Sequence, residues 1–149
     1  MAEDIKKVLI DKINKSKWWH VSPQDSDAYG RRGKFLASTY QQAGFYGRPN
    51  DIAEKVFISN PVFGFSEKEI TAKLFPDSDA AFQLKDLENE VDWYQKRMVL
   101  DAKMFRKAKF LGYDAIVLMT LAGRRDLKRN RKPRSIELNL LYAGKPFEN

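Results

Sequence analysis

The chain has 149 residues, no cysteine and a single histidine, His20. The first absence excludes disulfides, thiol nucleophiles and thiolate zinc sites, and the second leaves no histidine cluster for a metal. No metal site is expected. The sequence also lacks any apolar run near membrane-spanning length. Its opening stretch, MAEDIKKVLIDKINK, is charged throughout, with neither the apolar centre nor the cleavage site of a secretory signal. A cytoplasmic protein without a membrane partner is the expectation. Internal repeats, low-complexity tracts and linkers are missing too, so residues 1–149 read as one domain, large enough to bury roughly 70% of its unfolded surface.

What the chain does have is a concentrated positive charge. The net charge is +7, and residues 124–134 hold Arg124, Arg125, Lys128, Arg129, Arg131, Lys132 and Arg134 against one acid, Asp126, for +6. The remainder is +1, so the excess is a local patch. A patch of this kind attracts phosphate backbones through counterion release, which makes these seven side chains candidate nucleic-acid contacts.

Read in order, Ile5, Leu9 and Ile13 recur at helical spacing and predict a helix over 3–16. Residues 17–22, KWWHVS, read as a short strand, with one tryptophan of Trp18 and Trp19 sent inward and the other outward. A polar, turn-rich stretch follows over 23–32. A second strand is predicted over 33–39, then a short helix over 40–46. Residues 54–60 alternate, with Val56 and Ile58 on one face, and read as a strand stopped by Pro61. Ser66 with Glu69 three residues on is a capping-box pattern and predicts a helix to Phe75. A long helical segment over 79–110 ends at Gly112. The most apolar strand is 113–119, read as central, and the last is 135–142. The acids Glu88, Glu90 and Asp92 read as a solvated helix face, and Asp114 as structural. The class is α+β.

Glu137 is a carboxylate among apolar neighbours on that last strand, directly after the basic segment. It lines up with three other pieces: His20-Val21-Ser22 on the first strand, GKFLAS at 33–38 with its following helix, and GYDAIV at 112–117. In this order and at these separations the chain resembles the ADP-ribosyltransferases of the diphtheria-toxin and poly(ADP-ribose)-polymerase type, the His-Tyr-Glu clade. The resemblance spans about residues 18–142 and is greatest for compact bacterial and phage toxins.

That resemblance implies a split β-sheet sandwich with flanking helices, an N-terminal helix over 3–16 and a catalytic core over 17–142. It implies NAD as substrate. Glu137 would be the catalytic carboxylate. His20 and Ser22 would hold the ribose on the adenosine side, and the main chain of Val21 the nicotinamide amide. Phe35 falls where the family has its Tyr and would flank the nicotinamide, with Ser38 in the same pocket and Tyr40 or Tyr46 as the second wall. Ser135, two residues before the glutamate, argues against an arginine acceptor. The chemistry suits the composition, because cleaving the nicotinamide–ribose bond creates an oxocarbenium-like centre that one fixed carboxylate can stabilise without metal or thiol.

The implied function is mono-ADP-ribosyl transfer from NAD to a nucleic acid, RNA foremost, in an intracellular toxin or phage-conflict effector with an antitoxin or immunity protein as partner. An NAD glycohydrolase and a protein-directed transferase keep the same site. A nucleic-acid-binding module, in which Glu137 is incidental, is the non-enzymatic alternative.

Overall fold

A computed structural model describes residues 2–21, 29–44, 49–50, 52–76, 93–119, 125 and 136–142. The described elements are α1 (Ala2–Lys15), β1 (Lys17–His20), α2 (Tyr29–Arg32), β2 (Lys34–Ala37), α3 (Tyr40–Ala43), β3 (Glu54–Lys55), β4 (Pro61–Gly64), α4 (Glu67–Leu74), α5 (Trp93–Phe110), β5 (Ala115–Met119) and β6 (Ile136–Leu140). The fold is α+β, built on one six-stranded mixed sheet in the order β3-β1-β2-β6-β5-β4. Only β4 and β5 run parallel; the other described pairs are antiparallel. β1 divides its pairing: Lys17 and Trp18 bond to β3, whereas Trp19 and His20 bond to β2.

Each face of the sheet has its own cover. α1 packs Leu9 and Ile13 against Trp18, Leu36, Val117 and Leu138. α4 and α5 pack Ile70, Leu74, Leu100 and Met104 against Val62 and Ile116 on the other face. Ser66 caps α4 by accepting from Glu69 N–H at 3.1 Å, and Glu69 reaches back to Phe65 N–H at 2.8 Å, so the capping box closes one residue upstream of its usual target. α5 stops in a Schellman turn, with Gly112 N–H donating to Lys109 and Tyr113 N–H to Ala108 while Gly112 holds φ at 90°. β5 lies inside the sheet between β4 and β6. Asp114 is structural as expected: its carboxylate accepts from Ser59 N–H at 2.7 Å and Asn60 N–H at 3.0 Å, tying the entry of β5 to that of β4.

Two expectations need correction. Residues 23–32 are not wholly irregular, because Tyr29–Arg32 form a helical turn. The strand of 54–60 shrinks to Glu54–Lys55, and Pro61 begins a strand rather than ending one. Val56 and Ile58 are buried as the alternation requires. The main chain at Ile58 is nevertheless satisfied by a side chain, since Asn14 of α1 accepts from its N–H at 2.9 Å and donates to its carbonyl at 3.0 Å. Pro61 can open β4 because a first strand residue on a sheet edge needs no N–H in the ladder. The helix expected over 79–110 is described from Trp93 on, and its earlier part, with Glu88, Glu90 and Asp92, lies outside the described residues.

Candidate active site

Directly paired residues of antiparallel strands send their side chains to the same face, and the next pair along goes to the opposite one. One row across the sheet is Leu118, Glu137, Ala37 and Trp19. The neighbouring row is Val117, Leu138, Leu36 and His20. The third, Ile116, Asn139 and Phe35, returns to the face of the first. Glu137 and Phe35 therefore share the face covered by α4 and α5. His20 leaves on the face covered by α1.

On the Glu137 face, Phe35, Leu118, Glu137 and Asn139 border a shallow cleft of about 60 Å³, partly open to solvent, whose far side is formed by Glu67, Arg97, Asp101 and Met104. Phe35 is 40% exposed and offers its ring to that space. Between Glu137 and Trp19 stands only Ala37, small and buried, so the floor beside the carboxylate is low. Trp19 in turn meets Tyr40 edge to face, with centroids 5.2 Å apart and planes at 88°. A half-buried carboxylate is thus flanked on one side by Phe35 and, across the alanine, by a Trp–Tyr pair.

The helical wall is charged. Arg97 pairs with Glu67 of α4 and with Asp101 one turn on in α5, the latter at 2.9 Å. Burial pushes the Asp101 carboxyl above its ordinary value, with Arg97 opposing that shift. Burial also works against the Arg97 charge, but Asp101 and Glu67 outweigh it and leave the guanidinium above its usual range. Asn139 donates to the Arg32 carbonyl at 2.8 Å and is 5% exposed.

His20 is 3% exposed and fully engaged elsewhere: Nδ1 lies 2.8 Å from the Phe35 carbonyl and Nε2 2.7 Å from the Tyr29 hydroxyl. The carbonyl can only accept, so Nδ1 carries the proton, and in the neutral ring Nε2 accepts from Tyr29. Burial lowers the His20 pKa below 6.5, the Phe35 hydrogen bond opposing, Lys34 reinforcing and Glu54 opposing. Neutral His20 is therefore a clamp between β1, β2 and α2. The expectation that His20 and Glu137 border one dinucleotide cleft is not met, because β1 and β6 are two strands apart in registers that differ by one residue.

Ser38 is 1% exposed, its N–H donates to the Ile136 carbonyl, and its hydroxyl accepts from Ile136 N–H. It prolongs the β2–β6 ladder instead of facing the cleft. Val21 follows β1 immediately and is half-buried, while the preceding His20 carbonyl accepts from Asn50 N–H at 2.8 Å. Tyr40 is 43% exposed at the start of α3. Arg125 is exposed. Ser22, Tyr46, Arg124, Lys128, Arg129, Arg131, Lys132 and Arg134 lie outside the described residues.

Sequence reasoning missed Tyr29, Glu67, Arg97, Asp101 and Asn139. The Arg97–Asp101 spacing of four does signal an ion pair on a helix, and Asn139 interrupts an otherwise apolar strand. Neither signal says that the pair faces the sheet. Among the described residues there is no group of three or more His, Cys, Asp or Glu side chains placed to hold a metal, and no helix long and apolar enough to cross a membrane. No family model, no curated protein and no solved structure matches the chain.

Proposed function

We propose that the protein cleaves NAD between nicotinamide and ribose and passes ADP-ribose to a nucleic-acid acceptor, RNA foremost. The observation that supports this is the presence of Phe35 and Glu137 on one face of adjacent strands, beside a floor lowered by Ala37. The Phe35 ring can stack on the cationic nicotinamide. As the C–N bond breaks, its electron pair goes to the nicotinamide nitrogen and positive charge grows on the ribose, where the Glu137 carboxylate offsets it. An acceptor oxygen or nitrogen then bonds to that carbon and gives up its proton. In this reading His20 is a positioning residue that holds the Phe35 main chain, and it touches no substrate. Residues 124–134 join β5 to β6 directly before Glu137 and supply the cations that bring the acceptor in.

One observation favours a second reading, a nucleic-acid-binding module without turnover. The two residues that the resemblance pairs around one dinucleotide, His20 and Glu137, leave the sheet on opposite faces.

The two readings part on incubation with NAD labelled in its adenylate half, alone and with RNA, DNA or protein extract. RNA-dependent label transfer that vanishes in Glu137→Gln supports the transferase. Nicotinamide release without transfer identifies a glycohydrolase, and transfer to extract alone a protein-directed enzyme. No turnover under any condition leaves the binding module. Replacing Arg129, Arg131, Lys132 and Arg134 with Ala is expected to reduce transfer to nucleic acid and spare basal NAD cleavage. A parallel fall in both would place this segment in the donor site.

A further inference from the structure

The outward stripe of α5 is unlike its inward one. Leu100, Met104, Phe105 and Ala108 are buried, whereas Val99, Lys103, Arg106 and Phe110 are exposed and recur at helical spacing. Phe110 is 82% exposed, and Leu111, next in the chain, and Tyr142, after β6, each have more than two-fifths of their surface in solvent. Lysines hover over these rings: Lys107 Nζ is 5.5 Å from the Phe110 centroid, and Lys109 Nζ is 4.8 Å from that of Tyr142 and 4.9 Å from that of Phe105. Lys109 thus joins the last turn of α5 to the residues after β6, and Leu141 N–H closes the same corner by donating to the Asp114 carbonyl at 3.1 Å.

Charge narrows what this corner can receive. Residues 103–109 hold Lys103, Arg106, Lys107 and Lys109 with no acid among them. The two acids bounding the stretch are engaged, Asp101 by Arg97 and Asp114 by Ser59 and Asn60. A purely apolar partner would leave four cations facing it. A run of acidic residues alone would satisfy the cations but offers no flat group for the rings. Alternation of cations with exposed aromatic faces fits a polymer that carries one anion and one flat ring per unit.

We propose that this corner, centred on Phe110 with Tyr142, Lys103, Arg106 and Lys107, binds unpaired nucleotides of a single-stranded nucleic acid. A base takes the Phe110 face, and Lys107 turns from the ring to a phosphate. The corner lies at the Ala115↔Leu140 end of the β5–β6 pair, whereas residues 120–135 attach at the Met119↔Ile136 end, about 13 Å away along the strands. The corner thus lies at the end of the β5–β6 pair opposite to where that segment attaches, and its binding is independent of any chemistry at Glu137.

The test is fluorescence anisotropy of the full chain, without NAD, on a labelled unstructured 20-nucleotide RNA and on a 20-base-pair duplex. Phe110→Ala is expected to weaken single-strand binding on the order of tenfold, with Phe110→Tyr restoring it, Phe110→Leu failing to, and duplex binding unchanged. The double change Lys103→Gln and Arg106→Gln is expected to flatten the logarithmic salt dependence by about 1.4, two phosphate contacts' worth. Wild-type affinity in Phe110→Ala, full rescue by Phe110→Leu, an unaltered salt slope or Phe110-dependent capture of poly-glutamate in preference to RNA would each overturn it. Because no NAD is present, failure here leaves the Glu137 reading standing, and absence of NAD turnover leaves this contact standing.

Discussion

The two faces of the sheet are made from the same strands yet differ in kind. Under α1, Trp18, Leu36, Val117 and Leu138 join Leu9 and Ile13 in an apolar layer, and the Trp18 indole N–H donates to the Ile13 carbonyl at 3.0 Å. Under α4 and α5 the apolar cluster is interrupted by Glu137, Asn139, Glu67, Arg97 and Asp101. Partly buried ion pairs contribute little net stability, because desolvation offsets their attraction. The contrast teaches that both faces bury an apolar cluster, while the α4–α5 face also takes in charged side chains at a desolvation cost.

Breaking the apolar face should give the largest effect on folding. Trp18→Ala is expected to cost about 3–5 kcal/mol in urea unfolding, a whole buried ring and its hydrogen bond. Glu137→Gln sharpens the comparison from the other side: unfolding within about 0.5 kcal/mol of wild type, with ADP-ribosyl transfer slowed by about 10²–10³-fold. Gly33→Ala probes the seam. At φ 88° an added Cβ would come within 1.9 Å of Asn139 Oδ1, so a loss of about 1–3 kcal/mol is expected, visible as a lower melting temperature. The smallest effect is the pH dependence of His20. Its pKa falls below 6.5 on folding, so the unfolded chain takes up the proton first. Its contribution is complete above pH 6.5 and is lost as pH falls through the folded value. Melting curves of His20→Gln should therefore decline less than wild type below pH 6.5.

Local signals in the sequence carried much of the fold. The Ile5, Leu9 and Ile13 spacing marks α1, Ser66 and Glu69 mark the start of α4, and Gly112 marks the end of α5. Each depends on residues within a turn or two of one another. The segment 54–60 shows where such signals stop: its alternation correctly buries Val56 and Ile58, but nothing local reveals that Asn14, 44 positions away, takes the place of a neighbouring strand at Ile58. The site follows the same division. Phe35 and Glu137 could be singled out one at a time, but their common face, and the opposite face of His20, follow from the register of three strands, which no short motif encodes. Charge bookkeeping hid the α5 corner as well. Residues 77–92 carry six acids against Lys85, so the sum outside 124–134 is near zero while 103–109 is strongly positive.

The most direct test of the division between faces is nicotinamide release from NAD by wild type and Glu137→Gln, with the melting temperature of each sample recorded alongside. The expected result is release by the wild type, loss of at least a hundredfold in the variant, and superimposable melting curves. Equal release by the two proteins, or none by a folded wild type, would contradict it.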